Sequence, residues 1–135
     1  MRSVTRKAAT IGATLALAMS GALLAAAPAS AATSCYASGC NGLDPAATTC
    51  ANDAITVSQN GPLELRYSPS CRAAWGRDIA GIPGDFLEVY NDANGKYTTT
   101  WHSTGRFWTP MLNDKDVKSR AHLKSSNEED WTDWY

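Results

Sequence analysis

The chain has 135 residues, and its 12 basic and 13 acidic side chains give a formal net charge of −1. Three basic residues and no acidic ones lie within the first 32 positions, so the remaining segment has a formal net charge of −4. This acidic balance argues against a nucleic-acid partner, because a phosphate backbone requires a basic protein surface.

The first 32 residues have the organisation of a cleavable signal peptide. A basic start is followed by an uncharged run rich in Ala and Leu over residues 8–27, and then by small residues at 29–32. This order predicts cleavage after Ala31 or Ala32 and export of the remainder as a secreted, extracellular protein. The alternative is a retained membrane anchor, which the adjacent cleavage pattern disfavours. No second apolar run follows, so no membrane span is predicted in the mature chain.

Four cysteines, Cys35, Cys40, Cys50 and Cys71, all lie in the mature part of the chain. An even number of cysteines in a short exported chain predicts disulfide bonds, and the sequence leaves the pairing open. A zinc site is the alternative, but the spacing contains no Cys-x2-Cys knuckle and both histidines lie far downstream. We therefore predict disulfides and no metal or other cofactor. The loop-like segment 34–49 should depend on these disulfides for its order.

Two alternating segments begin the structured region. Residues 55–58 alternate apolar and polar side chains, and residues 63–68 place their apolar side chains on one face and their charged ones on the other. Asn60-Gly61 separates the two segments. This pair predicts a hairpin with a type I′ turn, because both central residues of that turn need positive φ.

The segment 71–79 fits two kinds of secondary structure. As a strand it places Cys71 and Trp75 on one face. As a helix it begins at Pro69, with Ser68 as the N-cap, and ends at Gly81. The neighbouring hairpin and the bulky Trp75 favour the strand. We assign Trp75 to the core.

Four more short strands are predicted after residue 85. Their aromatic and Thr residues suit a pleated surface, and Asn94-Gly95 marks a second hairpin. Closely spaced strands predict an all-β domain over residues 33–124. We expect an antiparallel β barrel or sandwich, stapled by disulfides, after an irregular Cys-rich N-terminal segment. The four strands are predicted at residues 86–90, 96–102, 106–109 and 117–123.

The C-terminal residues 125–135 differ from the rest of the chain in composition. They contain four acidic residues, no basic residue and three aromatic residues. This composition predicts a mobile tail. The alternative is that Trp131 and Trp134 fold back onto the domain.

The cysteines occur together with two further motifs. Asp44-Pro45 lies between the second and third cysteines, and Leu-Arg-Tyr-Ser-Pro at 65–69 shortly precedes the fourth. In this order, from Cys35 to Leu123, the chain resembles the small secreted actinobacterial proteins of domain-of-unknown-function family 2690. The resemblance implies a secreted protein and brings no catalytic chemistry with it. The acidic aromatic tail lies outside the resemblance.

No catalytic residue is predicted. The sequence lacks a nucleophile elbow, a zinc-protease helix, a phosphate-binding loop and a dinucleotide fingerprint. Ser103 with His102 or His122 could build a hydrolase site, and Glu64 with Glu88 a glycosidase pair. We expect these histidines and glutamates to lie on solvated strand faces instead.

Arginine and tryptophan side chains are the candidate binding residues. Arg66 and Arg72 should point to solvent and could bind an anion in forked geometry, whereas Arg77 should be paired or partly buried. Tryptophans outside the core could stack on sugars or anchor a protein interface. The candidates are Arg66, Arg72, Trp101, Trp108, Trp131 and Trp134.

These patterns favour a non-enzymatic extracellular or cell-surface binding module, with a cell-envelope polymer or an extracellular protein as partner. A secreted inhibitor of a peptidase or other extracellular enzyme is the alternative, and an enzyme ranks third. A protruding disulfide-held loop would indicate the inhibitor. A cleft with perturbed acids or a histidine would indicate the enzyme, and an exposed patch of aromatic and Arg side chains would indicate the binding module.

Overall fold

The computed structural model describes residues 31–135, so the predicted signal peptide at residues 1–32 lies almost entirely outside the described residues. Three short 3₁₀ turns come first, at Ala37–Cys40, Pro45–Ala47 and Thr49–Asn52. The strands that follow are β1 (Ile55–Asn60), β2 (Leu63–Ser68), β3 (Ala73–Gly81), β4 (Phe86–Asn91), β5 (Lys96–Thr100), β6 (Gly105–Trp108), β7 (Leu112–Asn113), β8 (Ser119–Lys124) and β9 (Glu129–Trp131). Among the described residues, no helix is long and apolar enough to cross a membrane.

Residues 31–135 form two antiparallel sheets. The first sheet has the order β1-β2-β3-β6, with β7 also paired to β3, and the second has the order β5-β4-β8-β9. Leu63 and Leu65 on β2 share one buried cluster with Leu87 and Val89 on β4, so this core draws on both sheets. The predicted all-β, antiparallel and disulfide-stapled fold is therefore confirmed.

Both predicted hairpins form, but the first turn is shifted by one residue. Asn60 pairs with Leu63, which leaves Gly61 and Pro62 as the two-residue loop between β1 and β2. Gly61 has a φ of 56°, and Asn60 is not in the positive-φ region. The predicted type I′ turn is therefore wrong, because Asn60 stays in the strand ladder. In the second hairpin, between β4 and β5, Asn94 supplies the positive φ of 67°.

The ambiguous segment is the strand β3, which is central in the first sheet. It pairs with β2 along one edge and with β6 and β7 along the other. Ser68 does not begin a helix, and its Oγ instead accepts a 3.2 Å hydrogen bond from the Cys71 N–H in the turn before β3. Trp75 is 4% exposed, which confirms its assignment to the core.

The Cys-rich segment, which comprises residues 34–54 before β1, packs against the outer face of the first sheet. Disulfides join Cys35 to Cys40 and Cys50 to Cys71, which confirms the predicted bonds and leaves no free cysteine within residues 31–135. The side chains that β2 and β3 direct away from the inter-sheet core meet this segment. Ala73 and Trp75 on β3 join residues outside that strand in a second buried cluster, whose other members are Cys40, Cys50, Cys71 and Met111.

The C-terminal segment lies against the second sheet. Its strand β9 pairs with β8, and Tyr135 exchanges two backbone hydrogen bonds of 3.0 Å with Ser119. Thr132 is only 4% exposed. For residues 125–135 the structure thus shows the fold-back alternative and not the mobile tail. Backbone hydrogen bonds to β8 hold this segment in place, and an acidic composition does not predict such bonds.

Asp114, in the polar turn between β7 and β8, is a buried carboxylate. Its Oδ1 accepts a 2.6 Å hydrogen bond from the Ser119 hydroxyl. Burial raises the pKa of Asp114 from 3.8 to about 6, although the Ser119 bond and the charge of Arg72 act in the opposite direction. Because folding raises this pKa, the protonated carboxyl contributes its full stability at pH values below the ordinary pKa of 3.8. That contribution is lost as the pH rises through about 6.

We expect Asp114→Asn to raise the free energy of unfolding at about pH 7.5 by about 3 kcal/mol. The amide oxygen keeps the bond from Ser119 and carries no charge to bury. Urea denaturation of both proteins at about pH 7.5 and about pH 3 measures the effect, and the difference should shrink at the lower pH. A variant no more stable than the wild-type protein at the higher pH would contradict the pKa argument.

Candidate functional site

The outer face of the second sheet carries a row of polar and aromatic side chains. On β4 the apolar residues turn into the core, so Glu88 and Tyr90 lie on the outer face. The same alternation places Arg120 and His122 on the outer face of β8. The strand register sets Tyr90 opposite Arg120 and Glu88 opposite His122. Charged and aromatic groups are therefore neighbours across this sheet.

Arg120 contacts two tryptophans of the C-terminal segment. Its guanidinium carbon lies 3.9 Å from the ring centroid of Trp131 and 5.3 Å from that of Trp134. Cation–π contacts of this kind hold a guanidinium in place against the rings. Trp131 is 37% and Trp134 45% exposed, so part of each ring remains accessible. These side chains border a groove of about 530 Å³ that we name the Trp–Arg groove, formed by Tyr90, Lys96, Arg120, Trp131 and Trp134.

Glu88 is a buried carboxylate that holds its neighbours on this face. Its Oε2 accepts from the Tyr90 hydroxyl and lies 2.8 Å from His122 Nδ1, and its Oε1 lies 3.1 Å from Lys96 Nζ. Burial by itself would raise the pKa of Glu88, but hydrogen bonds from these three groups and the charge of Lys96 bring it below its ordinary value. Burial and the bond to Glu88 raise the pKa of Tyr90 to about 12. The phenol therefore remains a proton donor at neutral pH.

His122 links two carboxylates. Its Nδ1 contacts Glu88 at 2.8 Å, and its Nε2 contacts Glu129 at 2.7 Å. The imidazole also stacks on Trp131 with 3.8 Å between ring centroids. Both ring nitrogens are engaged, so neither can accept a proton from a substrate without breaking a bond to a carboxylate. His122 thus connects β8, β4 and β9.

Three side chains expected on solvated strand faces are buried instead. Glu64, Glu88 and His122 are 8%, 5% and 5% exposed, so that expectation is wrong. Their outward direction is as the alternation predicts, but Thr56 and Arg77 donate hydrogen bonds to Glu64, and the C-terminal segment covers His122. Glu64 pairs with Arg77, as expected for that arginine. Glu64 and Glu88 lie on different sheets, which does not suit a glycosidase pair.

A second concave site lies on the outer face of the first sheet. Arg66 on β2 is opposite Trp75 on β3, and Arg77 on β3 is opposite Trp108 on β6. Small residues of the Cys-rich segment close one side of the site. Its volume is about 160 Å³, and we name it the arginine pocket after its larger side chains, Arg66, Trp75, Arg77, Arg106 and Trp108.

The structure separates Arg66 from Arg72. Arg66 is half-buried, because its guanidinium donates to Thr56 Oγ1 at 2.7 Å and to the Ala54 carbonyl at 3.0 Å. The expectation that Arg66 points freely to solvent is therefore wrong. Arg72 lies in the turn before β3 with a φ of 51°, and its Nη2 is 3.5 Å from Asp116 Oδ1. That turn directs Arg72 away from the arginine pocket.

A family model described as "Protein of unknown function (DUF2690)" matches residues 38–122, which is more than half of the chain. The chain belongs to the DUF2690 family. This confirms the resemblance found in the cysteines and the Leu-Arg-Tyr-Ser-Pro motif. No curated protein and no solved structure matches the chain. The five named residues of the arginine pocket lie within the part matched by DUF2690, whereas Trp131 and Trp134 follow it.

The candidate tryptophans of this DUF2690 protein have three different surroundings. Trp101 is half-buried against the inter-sheet core and stacks on Phe107 with 4.9 Å between ring centroids. Trp108 lines the arginine pocket, and its Nε1 donates to a carboxylate of the Cys-rich segment at 2.8 Å. Trp131 and Trp134 line the Trp–Arg groove. Trp101 is thus best placed for packing.

Six named residues of the two sites were not among the candidate binding residues. Two of them, Trp75 and Arg77, were expected to be in the core or paired, and the other four are Tyr90, Lys96, Arg106 and Arg120. The sequence did indicate an outward position for Arg120, because side chains alternate along the strand predicted at 117–123. No sequence pattern indicated Tyr90 and Lys96 as groove residues, since their position there depends on the pairing of β4 with β5 and β8. Arg106 joins the arginine pocket only because β6 pairs with β3.

Proposed function

We propose that this DUF2690 protein is a secreted, non-enzymatic binding module that binds a cell-envelope polysaccharide through the Trp–Arg groove. The signal-peptide pattern and the two disulfides support export to an oxidising compartment. The observation that carries the proposal is Arg120 held against two partly exposed tryptophans. Aromatic rings can cover the apolar faces of sugars, while the guanidinium donates to hydroxyl or acidic groups.

The two other function classes have weaker support. The inhibitor needs a rigid loop that protrudes, whereas the bridged segment is packed against the first sheet with Cys40 and Cys50 fully buried. The enzyme needs a free acid or base in a cleft. Within residues 31–135 the candidates are Asp114, whose buried carboxylate is hydrogen-bonded to Ser119, and His122, whose ring nitrogens both contact carboxylates. The binding module is therefore the best supported of the three.

We expect Trp134→Ala to weaken binding to insoluble cell-wall polysaccharide about tenfold, because removal of an anchoring aromatic typically costs more than 1 kcal/mol of binding energy. Arg120→Gln should also weaken binding, and its effect should be larger at low ionic strength, where charges are poorly screened. Co-sedimentation of residues 33–135 with the polysaccharide, over a range of protein concentrations, measures both effects.

Tyr36→Ala is the matched control for the tryptophan. Tyr36 is an exposed aromatic on the Cys-rich segment, 53% accessible, and does not border the groove. Its variant should bind within about twofold of the wild-type protein, since isolated surface aromatics contribute little to such contacts. Undiminished binding by a folded double variant, Trp134→Ala with Arg120→Gln, would exclude the groove as the binding site.

A further inference from the structure

The arginine pocket concentrates positive charge that its surroundings do not neutralise. Arg77 pairs with Glu64. Within residues 31–135, neither Arg66 nor Arg106 forms an ion pair. The buried Nε of Arg66 also has no hydrogen-bond partner in the described part of the chain. Two of the three guanidinium groups thus lack a counter-charge.

This arrangement is electrostatically unfavourable without a ligand. Burial lowers the pKa of Arg66, and the neighbouring charges of Arg77 and Arg106 lower it further, while Glu64 acts in the opposite direction. Like charges repel more strongly when a site is partly shielded from water. An anion placed among the guanidinium groups would offset that repulsion.

The walls of the arginine pocket are apolar. Trp75 and Trp108 contribute aromatic rings, and the Cys-rich segment contributes small aliphatic side chains. The volume of about 160 Å³ is several times the roughly 30 Å³ that one water molecule occupies in the liquid. It can hold an acidic group together with a few carbon atoms. The small side chains from the Cys-rich segment are Pro45, Ala46, Ala51 and Ala54.

We propose that the arginine pocket binds the carboxylate of a small aliphatic ligand, such as the C-terminus of a short Ala-rich peptide. Guanidinium groups bind the two oxygens of a carboxylate in forked geometry, and Arg106 is the exposed one that a ligand meets. The aliphatic part of the ligand lies against Trp75 and Trp108. This site is independent of the Trp–Arg groove, because its arginines and tryptophans lie on the first sheet.

The experiment is isothermal titration of residues 33–135 with N-acetyl-alanyl-alanine. We expect saturable binding of one peptide per chain. The matching carboxamide has nearly the same size without the charge and should bind at least tenfold more weakly. Inorganic phosphate tests for a site that takes any small anion and should also bind at least tenfold more weakly, since it cannot use the apolar walls.

Two variants test the site, one by removing a charge and the other by filling the pocket. Arg106→Gln removes an exposed charge and should weaken peptide binding about tenfold without lowering the melting temperature. Ala51→Leu keeps every charge but fills the space, and should abolish binding. Arg72→Gln removes an arginine outside both sites and should bind like the wild-type protein.

The proposal is overturned by any of four results. These are no saturable binding of the peptide acid, equal binding of the acid and the carboxamide, equal binding of phosphate, or unchanged binding by both Arg106→Gln and Ala51→Leu. None of these results bears on polysaccharide binding by the Trp–Arg groove, which is tested with different residues and a different ligand.

Discussion

We expect Trp75→Ala to lower the free energy of unfolding by about 4 kcal/mol. Trp75 is 4% exposed, and its ring packs in the cluster that joins both disulfides to the first sheet. Truncation removes the buried indole and leaves a cavity that the surrounding side chains fill only in part. The cavity would open between β3 and the Cys-rich segment, so that segment should lose protection from hydrogen exchange as well.

Urea denaturation of the variant and the wild-type protein measures this loss of stability. Trp134→Ala is the matched control, because it removes the same side chain from an exposed position and should change stability by no more than about 0.5 kcal/mol. A loss below about 1 kcal/mol for Trp75→Ala would show that the ring contributes little to packing of the Cys-rich segment.

The alternation of side chains on β2 predicts which face each residue occupies, but not what covers that face. Leu63 and Leu65 are fully buried between the sheets, and Arg66 lies on the opposite face, as predicted. Arg66 is nevertheless half-buried, since the Cys-rich segment packs over it. That segment has no apolar periodicity. Its position is tied to the Cys50–Cys71 bond, and the pairing of the cysteines could not be predicted from the sequence.

The Trp–Arg groove could be predicted only in part for a similar reason. The sequence showed Trp131 and Trp134 as candidate binding residues, and alternation showed Arg120 as an outward side chain. Their meeting depends on β9 pairing with β8, and the acidic composition of that segment predicted mobility. The stack of Trp131 on His122 and the contact of His122 Nε2 with Glu129 are tertiary contacts that no local pattern encodes.

The predicted turn type of the first hairpin is wrong for a physical reason. Asn60-Gly61 is a strong signal for a type I′ turn, but Pro62 follows it and has no N–H to donate to the ladder. The chain therefore turns at Gly61 and Pro62, and Asn60 remains paired.

We expect the double variant Cys50→Ala, Cys71→Ala to lower the free energy of unfolding by about 3 kcal/mol, and Cys35→Ala, Cys40→Ala by about 2 kcal/mol. The first bond closes a loop between residues 21 positions apart, and the second joins residues 5 positions apart. The longer loop loses more conformational entropy in the unfolded chain when it is closed. Within residues 31–135, the first pair is also the only disulfide that joins the Cys-rich segment to the turn before β3.

The cysteines must be replaced in pairs for this comparison to be valid. The Cys35 and Cys50 sulfurs, which belong to different disulfides, lie 3.4 Å apart. A single substitution would therefore leave a thiol close enough to attack the neighbouring bond and exchange partners with it. Denaturation of the two double variants by urea gives both losses of stability directly. The opposite order, with Cys35→Ala, Cys40→Ala the less stable variant, would show that loop closure is not the main source of the stabilisation. The packing of the sulfur atoms in the buried cluster would then have to account for it.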